Sequence, residues 1–345
     1  MKPYAAQKAL NRELQEADVR LRRVVFESNP LNLIVEPTNR CNAHCPICAR
    51  HFWDRKANPP ADLKPATIHA LREFMITAET VFAFGHGEPL IGRHFWELVR
   101  SAKEYGCRVE VTTNGLALGP AEIDRLVELD VEVLNLSLDA VTDAALLARR
   151  GVSIGKIEDV LRYLAERRAA MNSPRPEVGF AVVLDRDNLD ELPGLVSFAA
   201  DLFVRRLLIN HLVAWDETLH ARSAYQVPEQ MRAALDDLQT RAAARNLELI
   251  LPFAAVHDGV CPHPLQMFTV RANGEVWPCC HAVFRNERYS YPVGNVHDHA
   301  PRSIWNGEAY QALRRAFLCA GAPPALCRVC PLLNDELASH LRSLK

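Results

Sequence analysis

Cys41-Asn42-Ala43-His44-Cys45-Pro46-Ile47-Cys48 gathers three thiols in one short stretch, directly after an apolar run at 31–36 that reads as a buried strand. A tight loop at a strand end lets all three face a common point. Such a set is a metal or cluster site with one ligand missing. A structural zinc site takes four protein ligands, normally as two close pairs, whereas three thiolates on an iron-sulfur cube leave one iron open for a substrate or cofactor. A zinc loop completed by His44 or His51 is the competing reading of these residues.

The chain has 345 residues, which at about 150 per domain suggests two domains, or one barrel with an appendage. Hydrophobic residues make up 49%, enough for a sizeable core, and the formal net charge is -2. No broad field therefore argues for nucleic acid or an anionic membrane, and local basic runs such as Arg20-Leu21-Arg22-Arg23 read as solvated helix faces. Neither a signal-type apolar segment at the N-terminus nor an 18-residue apolar run is present, so the expected location is the cytoplasm.

Ten cysteines are too many to be incidental, and their clustering is wrong for a disulfide scaffold. Cys41, Cys45 and Cys48 form one group; Cys261, Cys279, Cys280, Cys319, Cys327 and Cys330 form another. Cys107 stands alone and reads as a small buried hydrophobe.

Between these groups strand-like and helix-like runs alternate. Short apolar segments at 31–36, 80–84, 108–112, 131–137, 178–184 and 207–210 are bounded by Gly, Pro, Asn or Asp. The intervening segments carry apolar residues at three- and four-residue steps, as in Phe95, Leu98, Val99 and Ala102. Six βα units are fewer than the eight of a closed barrel, so an α/β fold with a partial (β/α)6 TIM-like barrel is expected, its active face at the C-terminal strand ends. The motifs fall there: the cysteine loop after the first strand, Gly85-His86-Gly87-Glu88-Pro89 after the second, Thr113-Asn114-Gly115 after the third, and Ser137-Leu138-Asp139-Ala140 after the fourth. An Ala- and Arg-rich helix near 228–246 and the run 247–251 then lead to the cysteine-rich tail.

In that company the CxxxCxxC spacing resembles the radical S-adenosylmethionine (SAM) enzymes. The resemblance implies that Cys41, Cys45 and Cys48 hold a four-iron, four-sulfur cluster with SAM on its open iron. It further implies that Gly85, His86, Gly87 and Glu88 form the SAM-binding GGEP turn, His86 replacing the usual second glycine. Ser137 and Asp139, followed by Arg149-Arg150-Gly151, resemble the family's serine and arginine that hold the SAM ribose and carboxylate, with Arg150 favoured over Arg149. Ile47, with Val183, is expected against the adenine. The implied chemistry is reductive cleavage of SAM to methionine and a 5'-deoxyadenosyl radical, which takes a hydrogen atom from an unactivated carbon. An external one-electron donor such as flavodoxin or ferredoxin is then needed.

The tail is the second strong signal. Cys261 precedes an expected β-hairpin at 268–277 whose turn, Asn273-Gly274, suits left-handed backbone angles. The hairpin returns the chain to Cys279, and Cys327-Arg328-Val329-Cys330 supplies a CxxC pair. Zinc would satisfy these four cysteines equally well on chemistry alone. The arrangement resembles the SPASM or twitch extension of radical SAM enzymes, most of all the single-cluster extension of the aminocyclitol dehydrogenase, with Gly294-Asn295-Val296 and Ser303-Ile304-Trp305 matching its GN and IW segments. This implies one auxiliary iron-sulfur cluster, of the four-iron, four-sulfur type, on Cys261, Cys279, Cys327 and Cys330. Cys280 and Cys319 are left over as ligands, structural thiols or catalytic hydrogen-atom donors.

The expected organisation is an N-terminal extension at 1–30, a radical SAM partial barrel at 31–215, a helical connector at 216–258 and a SPASM/twitch-like domain at 259–345. Thirty residues before the barrel are too few for a leader-peptide recognition domain, which argues for a small substrate. His211, Asp216, Glu217, His220 and His281 are candidate contacts to a small polar metabolite of sugar, aminocyclitol or nucleoside type, oxidised or epimerised. The alternatives are a maturase of a ribosomally made peptide and, from another class, a zinc-binding or electron-transfer protein without SAM cleavage.

Overall fold

A computed structural model describes residues 3–53, 55–214, 217–251, 261–279, 292–320 and 327. They fall into two compact units, one drawn from Met1–Cys41, Trp53–Val111 and Ala255–Leu333, the other from Asn42–Phe52 and Thr112–Ala254. The calls on Asp216, Cys280, His281 and Cys330 lie outside the described residues.

In the first unit, β1 (Asn32–Val35), β2 (Thr80–Ala83) and β3 (Arg108–Thr113) run parallel in that order. Their inward residues, among them Leu33, Val35, Val81, Ala83, Val109 and Val111, are wholly buried. On its other edge β1 pairs in parallel with β8 (Met267–Val270), which turns through a hairpin into β9 (Glu275–Trp277), and β9 pairs antiparallel with β10 (Gly294–Asn295). Gly274 takes φ +85 in that hairpin, the left-handed angle that Asn-Gly turns supply. A wholly buried aromatic core holds this end together: Phe268 meets Phe74 edge-on at 5.0 Å and lies parallel to Tyr310 at 6.2 Å. Trp305 lies 4.9 Å from Tyr310. Pairs of this kind contribute about 0.5–1.5 kcal/mol each beyond their buried area.

The helix Ala5–Arg20 belongs to the same unit. Lys8 donates to the carbonyls of Met75, at 2.8 Å, and Ala78, and Asp18 takes the backbone N–H and hydroxyl of Ser28. These bonds satisfy polar groups that burial would otherwise leave bare. Cys107, expected to be a buried hydrophobe, is 1% exposed and lies 3.4 Å from the Lys8 ammonium.

In the second unit, β4 (Val133–Ser137), β5 (Glu177–Leu184), β6 (Arg206–His211) and β7 (Glu248–Ile250) run parallel in chain order. The six expected strands are all present, shifted by two residues at most at their ends. The run 247–251, expected to be connector, adds a seventh parallel strand. The fold is the expected α/β architecture with parallel βα units. Among the described residues no helix is long and apolar enough to cross a membrane.

Candidate active site

The cysteine loop is shaped by its own backbone. Cys48 N–H donates to the Cys45 carbonyl at 3.0 Å and His51 N–H to the Cys48 carbonyl at 3.0 Å, while Ala43 and Ile47 are buried as anchors. Asn42 accepts from the Asn114 amide at 2.8 Å, which fixes the start of the loop to the Asn114 turn. Cys45 is buried, Cys41 and Cys48 are half-buried, and His44 and His51 are exposed. Among the described residues no three His, Cys, Asp or Glu side chains converge on a single-ion site. A single zinc ion needs convergence, whereas a cube takes each thiolate on a different iron. Three thiols with no fourth ligand beside them among the described residues are the donor set that a four-iron, four-sulfur cluster with one open iron takes.

After β2 the Gly85-His86-Gly87-Glu88-Pro89 turn lies against the chain leaving β1. A Cβ on Gly87 would overlap the carbonyl oxygens of Thr38 and Arg40, and one on Gly85 would strike the side chain of Glu36. Glycine is required here by close approach. Glu88 is 2% exposed; its carboxylate accepts from Leu90 N–H at 3.2 Å, and its own N–H donates to the Arg40 carbonyl at 2.8 Å. Gly87→Ala is expected to push this turn off its backbone seat, at a cost of about 1–3 kcal/mol, and to weaken SAM binding. Equilibrium dialysis of cluster-loaded protein checks it, and an unchanged SAM affinity would remove the turn from the site.

Glu36, which follows β1, is a buried carboxylate beside the glycine turn that the sequence did not mark. It is 3% exposed and accepts from His86 N–H at 2.9 Å and from Ala272 N–H at 3.1 Å, with Arg271 Nε at 3.5 Å and His86 Nδ1 at 3.6 Å. Burial opposes its charge, but the hydrogen bonds from His86 and the charge of Arg271 outweigh it and hold the carboxyl down at about 2. The His86 ring lies edge-on to Trp53 at 5.1 Å, and Arg271 stands over the same indole at 4.9 Å. One ionised carboxylate thus ties the glycine turn to the β8–β9 hairpin.

In the second unit, Asp139 and Arg150 form an ion pair, Nη2 donating to Oδ1 at 2.8 Å with Nε 2.6 Å from Oδ2. Asp139 also accepts from Val183 N–H at 2.8 Å and is wholly buried. Arg149 instead pairs with Asp185 at 2.9 Å, and Asp185 takes Arg222 at 3.1 Å. Burial works against the Arg150 cation, yet Asp139 and the nearby Cys45 thiol raise its pKa above the ordinary value. Asp139 Oδ1 takes both of these hydrogen bonds while the buried Oδ2 has no hydrogen-bond partner among the described residues, so this carboxylate can aim Arg150 and still accept from a ligand hydroxyl. Ser137 ends β4 half-buried.

Ile47 and Val183 do meet. They pack in one apolar cluster with Leu212 and Leu219, two residues with no sequence signal beyond ordinary hydrophobicity. Beside it His211 is 5% exposed, lies nearly parallel to the Tyr225 ring at 4.8 Å, and is pushed down to about 3 by burial, so it is neutral at physiological pH. Glu217 and His220 are exposed, His220 beside the Gln226 amide at 3.3 Å. Cys319 is exposed in the first unit, its thiol 3.7 Å from the Arg22 carbonyl. Cys261 is buried, and Cys279 and Cys327 are half-buried.

The chain matches the radical SAM superfamily over residues 35–199 and the SPASM iron-sulfur cluster-binding domain over residues 261–331. It is 25% identical over 295 residues to the tungsten-containing aldehyde ferredoxin oxidoreductase cofactor-modifying protein of Pyrococcus furiosus, covering 82% of each chain. It is 26% identical over 324 residues to the PqqA peptide cyclase of Xanthomonas axonopodis pv. citri, covering 88% of this chain and 80% of that one. Among solved structures, Streptococcus suis SuiB bound to precursor peptide SuiA matches with TM-score 0.67 at 16% identity over 94% of this chain and 74% of that one. The native anSMEcpe structure with bound AdoMet and Cp18Cys peptide matches with TM-score 0.66 at 14% identity over 92% and 99%.

Proposed function

The chain belongs to the radical SAM superfamily and carries a SPASM domain, and from that premise we propose that it is a maturase acting on a ribosomally made peptide. The carrying observation is that curated relatives aligned over four-fifths or more of this chain are named for modifying a peptide or a cofactor. The small polar metabolite expected from the sequence gives way to this alternative. As a radical SAM enzyme with a SPASM domain, the chain takes SAM, a 4Fe-4S cluster and auxiliary iron-sulfur as cofactors, together with a reductant.

Bound SAM, reductively cleaved, supplies the radical that removes a hydrogen atom from an unactivated substrate carbon. The chain's own residues bind and aim. Cys41, Cys45 and Cys48 hold the SAM cluster; Gly85 and Gly87 give the close backbone approach on which the methionyl amino group is received. Arg150, held by Asp139, takes the SAM carboxylate, Ser137 reaches the ribose, and Ile47 with Val183, Leu212 and Leu219 lines the adenine side and keeps water out. Cys261, Cys279, Cys327 and Cys330 carry the auxiliary cluster.

Anaerobically reconstituted protein given dithionite and SAM is expected to release 5'-deoxyadenosine. A short peptide encoded beside its gene is expected to raise that release and to change in mass. Turnover with a sugar, aminocyclitol or nucleoside and none with the peptide would reverse the substrate assignment. Protein that binds only zinc and forms no 5'-deoxyadenosine would end the enzyme reading.

A further inference from the structure

Arg314 lies in the first unit on the helix Glu308–Arg315 and is wholly buried, 0% exposed. Its guanidinium carbon stands 3.9 Å from the centre of the Phe26 ring, 4.1 Å from Trp305 and 5.4 Å from Tyr310. Nη1 donates to the Val24 carbonyl at 3.2 Å and to Asn306 Oδ1 at 2.9 Å, Nε donates to the Pro264 carbonyl at 3.3 Å, and Nη2 has no hydrogen-bond partner among the described residues. No described carboxylate reaches it at ion-pair distance. Asp18 acts on it only through space, its oxygens already engaged by Arg23 and Ser28. Burial accordingly pushes this arginine down to about 10.

A buried cation resting on carbonyls and ring faces calls for an anion, since carbonyl dipoles and π faces offset only part of the lost hydration. Its contacts indicate where that anion belongs. The Pro264 carbonyl that it holds is three residues past Cys261. Tyr310, packed against it, reaches the Trp277 carbonyl at 3.5 Å, two residues before Cys279. Arg314 is therefore bonded to the chain three residues past one expected cluster ligand and packed on the tyrosine whose hydroxyl reaches the chain two residues before another.

A cube held by four thiolates carries about two net negative charges and gains a third on one-electron reduction. A fixed cation close by in a low-dielectric interior favours the more negative state. We propose that Arg314 is a positioning residue for the auxiliary cluster's charge: it is the buried counter-cation that raises the cluster's reduction potential and so makes it a better electron acceptor. This rests on the reading that Cys261, Cys279, Cys327 and Cys330 hold that cluster.

The test is potentiometric titration of the full-length chain, followed by electron paramagnetic resonance, in a Cys41, Cys45, Cys48→Ala background so that only auxiliary iron is seen. Arg314→Gln is expected to lower the midpoint by about 59 mV or more, a tenfold or larger loss in the equilibrium constant for reduction. Arg314→Lys, which keeps the charge, is expected to hold most of the potential. Asn306→Asp sets a carboxylate on Arg314 with little change of shape and is expected to lower the midpoint as well, which covers the case in which Arg314→Gln fails to fold. Iron-loaded Gln and Asp variants at the parent potential, or a Lys variant shifted as far as the Gln variant, would overturn the proposal. A parent background without auxiliary iron would instead overturn the cluster reading beneath it, and that outcome is read separately in the iron content.

Discussion

Replacing Cys41, Cys45 and Cys48 together by alanine is expected to abolish 5'-deoxyadenosine formation while the protein stays folded and keeps about half its iron, that of an auxiliary cube of equal size. The loop has supports other than its thiols. Its turn is made by the Cys48 and His51 backbone N–H groups, and its anchors are the buried Ala43 and Ile47 and the Asn42 side chain bonded to Asn114. Cysteine to alanine removes a sulfur from each position and leaves those contacts in place. On the proposed assignment the missing sulfurs are the ones that would hold the cluster with an open iron, so the variant could not deliver an electron to SAM. Assay of 5'-deoxyadenosine, with iron counted and circular dichroism recorded on the same sample, separates the cases. Residual turnover above the enzyme-free background would detach this loop from catalysis. Loss of all iron would tie both iron sites to these three thiols.

The parts of this site that are legible in the sequence are those written in local spacing. Three cysteines after a buried strand, a glycine turn after the next, and an Asn-Gly pair between two short, largely apolar runs are each contained within a dozen residues, and the chain's turns and strands realise them directly. Glu36 is different. Its partners, His86 and Arg271, stand 50 and 235 positions along the chain, and a lone glutamate ending an apolar run looks like any solvated strand end. Asp139 shows a second limit. Its residue type suits a ribose hydroxyl or a guanidinium equally, and its pairing with the guanidinium is set by where the helix Asp143–Arg150 lays Arg150 back against it. For β7 the reason is length: with only Glu248–Ile250 paired, the run carries too few residues to show an alternation.

Glu36→Gln is expected to cost about 3–5 kcal/mol of stability, because it leaves Arg271, 3% exposed, without its carboxylate. It also sets an amide N–H against a backbone N–H that the carboxylate now accepts from, either His86 or Ala272. The effect reaches function through geometry. Gly85 lies flat against the Glu36 side chain and His86 N–H is tethered to it, so loosening this carboxylate loosens the turn proposed above to receive the SAM amino group. A weaker SAM affinity should therefore accompany the lost stability. The pH dependence provides an independent check. With a carboxyl held at about 2 in the folded chain against 4.5 as its ordinary value, Glu36 binds its proton more readily when unfolded. Its contribution is therefore complete above the unfolded value and lost as pH falls through the folded one. A gap of that size corresponds to about 3 kcal/mol. Urea unfolding of the iron-free chains, which avoids acid loss of clusters, should show a wild-type advantage over Glu36→Gln that is flat from pH 7 to pH 5 and shrinks steadily below that. A wild-type advantage that stayed constant down to pH 3 would mean that the carboxylate's charge is not what holds the glycine turn to the hairpin.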